Sequence, residues 1–300
     1  MEPELRLWPT WRFVGTSTWL ERGLERGGVD RLRAEHTRGE PATLVAESPE
    51  GIGIARQAKE LLRQGQWPAA IALYRQLVER FPQDLELRRH VLISAFKWKD
   101  YREVLNQTLA LADLAFADGD THSGLERYGE VLRLPELVAG EGGAQAAKEV
   151  RELVEPLKAD IFFVYGDHHL GNGQHDLALQ YFDVSERMMP GRWETYWGRG
   201  QALLLRGDKR EAVKSLYQSI QSAPNEAASA YELLGEILLG EGRELKDLRK
   251  YFVRASSIFE AYECQDDALR VTFRWLQLDP QDREMADRAR VLTKKIHSPG

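Results

Sequence analysis

The sequence has almost no cysteine, no long apolar run and no excess of positive charge. Its one cysteine, Cys264, excludes an intrachain disulfide and a zinc site built from cysteines. No stretch approaches the roughly 18 apolar residues that span a bilayer, and the first four residues, Met1 to Glu4, lack the start of a signal peptide. The net charge is −6, without the clustered basic face of nucleic-acid binders. We therefore expect a cytoplasmic protein that neither inserts into membranes nor binds nucleic acid.

A repeated pattern of alanine, glycine and proline is what the sequence does have. An alanine precedes an aliphatic residue and lies twelve positions before a proline in four places: Ala70 with Pro82, Ala178 with Pro190, Ala212 with Pro224, and Ala268 with Pro280. In three of these copies a glycine stands seventeen positions before the proline, at Gly65, Gly173 and Gly207. Because Gly166 and Gly200 recur at the same lag of 34 residues, the pattern predicts a structural repeat.

The residue types in this repeat predict a pair of antiparallel helices. The first glycine, as at Gly166, allows two helix backbones to approach closely. The second, as at Gly173, favours the left-handed conformation that ends a helix. Alanine fits a tight helix–helix contact, and proline ends the second helix because it cannot continue it. Apolar residues between these marks follow helical spacing, as at Leu177 and Tyr181.

An aromatic residue four positions before the first glycine completes the pattern, as in Phe162 with Gly166, Tyr196 with Gly200, and Tyr231 with Gly235. With these residues the chain resembles the tetratricopeptide-repeat (TPR) family, most strongly over residues 158–240. The resemblance implies an all-α fold, a TPR-like right-handed α-solenoid of antiparallel helix pairs.

The repeats divide the chain into three predicted segments. Residues 1–50 form an N-terminal arm and linker, residues 51–139 form degenerate TPR helices, and residues 140–300 form a second array that ends in a capping helix. Two helices are predicted to be long, one up to about residue 117 and one from about residue 247 to residue 262. We expect no helix through the three glycines of Gly140–Gly143.

The N-terminal arm carries Trp8, Trp11 and Trp19, for which two roles remain open. The rings could cover the open end of the first helix pair, because unprotected solenoid ends are insoluble. Alternatively, they could dock on a partner. Acidic neighbours such as Glu21 argue against a membrane surface, which favours basic residues.

Catalytic and metal-binding patterns are weak. His168, His169 and His175 are close in sequence, but they would point in different directions, and no metal-binding spacing accompanies them. Cys264 lies among acidic residues that would raise the pKa of its thiol, which does not suit a nucleophile. We expect no enzyme activity, no catalytic residues, no metal site and no cofactor.

The expected function is a non-catalytic protein-binding scaffold or assembly factor that uses the concave surface of the solenoid for one or more proteins or peptides. The alternative is a peptide- or ligand-responsive regulator whose helical array changes shape on binding. By register with the family, the following residues would line the groove: Lys59, Arg63, Phe163, Asp167, Leu170, Trp197, Gln201 and Leu204. Trp197 could be an anchor for the ligand or equally a core residue.

Overall fold

The computed structural model describes residues 48–297, and this part of the chain is built from α-helices joined by short turns. A short 3-10 helix, Glu155–Leu157, precedes the sixth α-helix. The helices are α1 (Pro49–Arg63), α2 (Trp67–Arg80), α3 (Leu85–Trp98), α4 (Tyr101–Ala117), α5 (Thr121–Val154), α6 (Lys158–Gly171), α7 (His175–Met188), α8 (Trp193–Arg206), α9 (Lys209–Ser222), α10 (Ala228–Gly240), α11 (Leu245–Ala261), α12 (Gln265–Leu278) and α13 (Arg283–His297).

The turns contain the residues that the repeat pattern predicts. Gly65, Gly173 and Gly207 have φ values of 73°, 71° and 98°, the left-handed conformation in which glycine lacks the steric cost of a side chain. In the copy that ends at Pro280, Glu263 takes this place with a φ of 59°. The helical hairpins predicted from the glycines and prolines are confirmed.

Carboxylates cap several helices of the first half of the chain. The Asp84 side chain accepts a hydrogen bond from the backbone N–H of Leu87 at 3.1 Å, and Asp100 accepts one from Glu103 at 3.2 Å. Each carboxylate satisfies a backbone donor that the first turn of its helix leaves free, typically a contribution of about 1 kcal/mol. The two long helices predicted from the sequence are confirmed as α4 and α11.

Helix α5 corrects part of the expectation for the glycine-rich stretch. A break occurs there as expected, but it lies at Gly143, whose φ of 85° and ψ of 174° are not helical, and Gly140 and Gly142 belong to the helical stretch before it. At Gly142 an added Cβ would lie 2.6 Å from the hydroxyl of Tyr101 on α4. A glycine at this place therefore allows α5 to pack closely against α4.

The described chain forms two compact units, which divide between Tyr165 and Gly166, within α6. The predicted boundary at residue 140 therefore stays an expectation. In the C-terminal unit the core cluster includes Trp197, Leu216, Leu234, Phe252 and Trp275, so that side chains from α8 to α12 share one apolar interior.

Helix α13 has the character predicted for the end of an open repeat stack. Met285, Ala289 and Leu292 on one side are buried, whereas Asp287 and Arg290 on the other are exposed and paired with each other. A polar outer face keeps the end of such a stack soluble.

Candidate protein-binding surface

Side-chain contacts link helices that are two apart in the C-terminal unit. The hydroxyl of Tyr217 on α9 lies 3.1 Å from that of Tyr251 on α11. Arg274 on α12 donates to Glu236 on α10 at 2.6 Å. These contacts define two rows, which we call the first-helix row (α6 from Gly166 on, α8, α10 and α12) and the second-helix row (α7, α9, α11 and α13). Helix α12 belongs to the first-helix row by its contacts with α10, although the pattern of Ala268 with Pro280 made it the second helix of its copy.

Glycines bring the two rows together. A Cβ on Gly166 would lie 2.5 Å from the Phe182 ring of α7, and one on Gly198 of α8 would lie 2.6 Å from the same ring. At Gly200 the nearest atoms belong to Leu216, at 2.9 Å. Both contacted side chains are fully buried. The predicted role of the repeat glycines in close helix packing is thus confirmed. The faces of α6 and α8 that carry Gly166 and Gly200 are covered by the second-helix row, so a ligand can reach only other faces of these helices.

The predicted groove residues of the C-terminal unit differ in accessibility. Leu170 and Trp197 are buried, whereas Asp167, Gln201 and Leu204 are half-buried. Trp197 is 5% exposed and packs in the cluster that contains Leu216 and Leu234. Of its two expected roles, this geometry favours the core residue, because a buried indole offers no surface to a ligand.

The groove residues predicted in the N-terminal unit range from buried to exposed. Phe163 is buried, Lys59 is half-buried, and Arg63 is exposed and lies 3.4 Å from Glu60 on its own helix. An exposed ion pair of this kind contributes little to stability. The arm residues Trp8, Trp11 and Trp19 lie outside the described residues.

Asp167 has unusual electrostatics for a half-buried carboxylate. It follows Gly166, as Gln201 follows Gly200 and Glu236 follows Gly235. Desolvation by the surrounding protein raises the pKa of Asp167 to about 6. No opposing charge or hydrogen bond from the described residues lowers it.

The charge of Glu236, at the corresponding place in α10, is neutralised by an arginine of the same chain. Arg274 donates to its two carboxylate oxygens at 2.6 Å and 2.7 Å. One turn earlier, Arg270 makes the same two-pronged contact with Glu232, one bond measuring 2.7 Å. The hydrogen bond to Glu236 raises the pKa of Arg274 further above its ordinary value. These paired contacts are the strong form of an ion pair.

Sequence reasoning missed these two ion pairs and the exposed ring beside them. Phe273 on α12, between the two arginines in sequence, is 48% exposed. The sequence does contain a signal for these ion pairs. Glu232 and Glu236 lie four positions apart, and so do Arg270 and Arg274. Each arginine therefore follows its glutamate by 38 residues.

Of the three clustered histidines, His168 and His169 contact each other edge to face, with ring centroids 5.4 Å apart. The His169 ring stacks on Tyr181 with centroids 5.1 Å apart, and its Nδ1 lies 2.6 Å from the side-chain oxygen of Gln174. His168 contacts Asn172, which lies just past the end of α6, while His175 begins α7. Within residues 48–297, no group of three or more histidine, cysteine or acidic side chains is placed to hold a metal ion.

The thiol of Cys264 is exposed at the start of α12. Its pKa is raised, first by desolvation and second by the charge of Asp267. The direction agrees with the sequence-based prediction, although desolvation exceeds the acidic neighbour that was expected to cause it. A thiol with a raised pKa has little thiolate and is a poor nucleophile.

These features define the class of the protein, an all-α repeat protein of stacked helical hairpins. The family profile of the tetratricopeptide repeat matches residues 56–97 and 109–192. The matched residues carry tetratricopeptide repeats, and the fold class predicted from the sequence, a TPR-like right-handed α-solenoid of antiparallel helix pairs, is confirmed. The profile covers residues 109–139, where the sequence pattern is degenerate, and stops before α8, where the glycines are most regular.

Several solved TPR structures are similar to the chain at low identity. MamA is 16% identical and has a TM-score of 0.35, with 69% of this chain and 96% of that chain covered. For the TPR2AB domain of yeast Sti1, solved as a pHSP90 complex, the identity is 14%, the coverage 74% and 96%, and the TM-score 0.37. A thermophilic TPR protein of Thermus thermophilus is 20% identical, with 80% and 97% covered and a TM-score of 0.29. No curated protein matches the chain.

Proposed function

We propose that the protein is a non-catalytic scaffold or assembly factor in the cytoplasm, and that it binds a protein or peptide on the concave surface formed by the first helices of its repeats. The observation that carries this proposal is the first-helix row of the C-terminal unit. It combines half-buried polar and apolar side chains, Asp167, Gln201 and Leu204, on a floor of buried residues. A mixed surface of this kind suits a helix or an extended segment of a partner.

One further observation supports binding rather than catalysis. The histidines and the cysteine lack the geometry or the pKa that catalysis requires.

Affinity purification of the full chain from its native cells, followed by mass spectrometry, tests the proposal. We expect a stoichiometric protein partner that is lost with Gln201→Lys, which places a charge on the first-helix row. The matched control is Gln218→Lys, an exposed glutamine of the second-helix row, which should retain the partner. Failure to recover a partner, or equal loss with both variants, would contradict the proposal.

The alternative role as a ligand-responsive regulator predicts one further result. The purified partner should then change the solution shape of the chain, measured as the radius of gyration by small-angle X-ray scattering with and without the partner. An unchanged shape on saturation would leave the scaffold as the function.

A further inference from the structure

An acidic side chain without an internal partner marks one end of the first-helix row. Asp167 is half-buried, and its carboxylate meets no cation within the described residues. The corresponding Glu236 shows what this place in the repeat accepts, because the chain itself supplies Arg274 to it as a two-pronged partner. A guanidinium or ammonium group from outside the chain would form an ion pair with the Asp167 carboxylate in the same way.

An exposed aromatic ring marks the other end of the row. Phe273 lies on α12, the last helix of the first-helix row, and about half of its side chain is exposed. Its neighbours Arg270 and Arg274 are engaged with Glu232 and Glu236. The ring is therefore flanked by neutralised charges, which suits an apolar side chain of a ligand.

The distance between Asp167 and Phe273 along the row sets the length of ligand that could reach both. If each of the three steps of the row from α6 to α12 is given the spacing of packed helices, about 8–10 Å, the two places lie roughly 25–30 Å apart. An extended chain advances about 3.3 Å per residue, so about eight or nine residues cover this distance. Leu204 and Leu205, on α8 between the two ends, are half-buried and partly exposed, respectively, and extend the apolar surface.

We propose that the first-helix row of the C-terminal unit binds an extended peptide segment with a basic residue at Asp167 and an apolar residue, about eight or nine positions away, at Phe273. This inference rests on the proposed function and specifies the chemistry and the spacing of the two residues of the partner segment.

Fluorescence anisotropy with the full chain and labelled synthetic peptides tests the inference. Each peptide carries one arginine and one leucine, separated by four, eight or twelve serine and threonine residues. We expect the spacing of eight to bind most tightly. Asp167→Asn should weaken binding by about tenfold or more, the size expected for a lost charged hydrogen bond, and Phe273→Ser should weaken it by a similar factor. Replacing the arginine of the peptide with glutamate should abolish binding to the wild-type chain.

Matched controls lie on the exposed face of α13. Asp287→Asn and Val291→Ser remove an exposed carboxylate and an exposed apolar side chain from the second-helix row, and both should bind the peptides as the wild type does. Circular dichroism verifies that all four variants are folded. The inference is overturned if no peptide binds, if Asp167→Asn binds as tightly as the wild type, or if binding ignores the spacing.

The failures of the inference and of the proposed function can be distinguished. If a native partner is captured and is lost with Gln201→Lys but is retained by Asp167→Asn and Phe273→Ser, the inference alone is wrong. If no native partner exists, the proposed function is wrong.

Discussion

The helices of the two units pack against one another through different interactions. In the C-terminal unit, glycines admit buried rings between the helices, as Gly166 and Gly198 admit Phe182. In the N-terminal unit the interior holds a chain of polar groups, in which Glu103 receives Arg75 at 2.6 Å and Gln107 at 2.9 Å. Buried rings fitted against glycines thus contribute to the packing of the regular repeats, and a hydrogen-bonded network contributes to that of the degenerate repeats.

Buried polar groups with partners occur in both units. The C-terminal unit has neutral hydroxyl pairs, such as Ser256 with Thr272 at 2.8 Å, and also the buried, ion-paired carboxylate of Glu194. In the N-terminal unit, the buried Tyr128 donates a hydrogen bond to the exposed Asp113 at 2.7 Å, and desolvation raises the pKa of Asp113 above its ordinary value. Because a buried polar group without a partner costs free energy, each unit depends on these partners being present.

The largest expected effect comes from removing the ring that the glycines admit. Phe182→Ala should lower the free energy of unfolding by about 3–5 kcal/mol, because it leaves a cavity in a fully buried place. Urea denaturation followed by circular dichroism measures this change. The control is Phe273→Ala, which removes a half-exposed ring from the same unit and should cost less than about 1 kcal/mol. Equal losses in the two variants would contradict this contribution of the buried ring to packing.

The next effect tests the polar chain of the N-terminal unit. Glu103→Ala removes the acceptor of Arg75 and of the buried Gln107, so we expect a loss of about 1–3 kcal/mol in the free energy of unfolding. The control is Glu60→Ala, whose carboxylate is exposed and pairs with Arg63 on the surface. It should change the stability by less than about 0.5 kcal/mol. If urea denaturation gives the two variants the same stability, the buried network does not hold this unit together.

A comparison of glycines sharpens the contrast between the units. Gly166→Ala places a methyl group within 2.6 Å of two Phe182 ring atoms and should cost about 1–3 kcal/mol. Gly53→Ala lies on α1 of the N-terminal unit, and no heavy atom of residues 48–297 lies within 4 Å of the new Cβ. That substitution should raise the stability by about 0.5–1 kcal/mol, since alanine favours a helix over glycine. Thermal denaturation of both variants checks the opposite signs.

A rescue experiment separates overpacking from other causes in Gly166→Ala. Combined with Phe182→Leu, whose smaller side chain makes room for the methyl group, Gly166→Ala should cost less than it does alone. Additive losses would show that the close contact is not the source of the effect.

Local features of the repeat could be predicted from the sequence, whereas contacts between repeats could not. The repeat glycines and prolines predicted the hairpins, because their backbone restrictions are local. Trp197 was not assigned from the sequence, since its burial depends on Leu216 and Leu234 of later helices. The pairs of Arg270 and Arg274 with α10 depend on the extra length of α11, which shifts α12 relative to the 34-residue repeat. Contacts between repeats require knowledge of helix lengths that the repeat pattern alone does not supply.

The remaining expected effect is a pH dependence of stability that belongs to the C-terminal unit. Desolvation raises the pKa of Asp167 to about 6, whereas an unfolded aspartate titrates near 3.9. Between these values the folded chain holds a proton that the unfolded chain releases. The contribution of Asp167 to stability is therefore fully present below about pH 4 and is lost as the pH rises to about 6.

Asp167→Asn should remove this contribution without changing the packing. Between pH 4 and pH 6 the free energy of unfolding of the variant should fall less steeply than that of the wild type, by at most about 1.4 kcal/mol per pH unit, the limit for one proton. Urea denaturation at intervals of half a pH unit measures the two slopes. Identical slopes would mean that water reaches the carboxylate in the folded chain. The basic ligand proposed for Asp167 should have the opposite effect, because an ion pair favours the charged carboxylate and lowers its pKa.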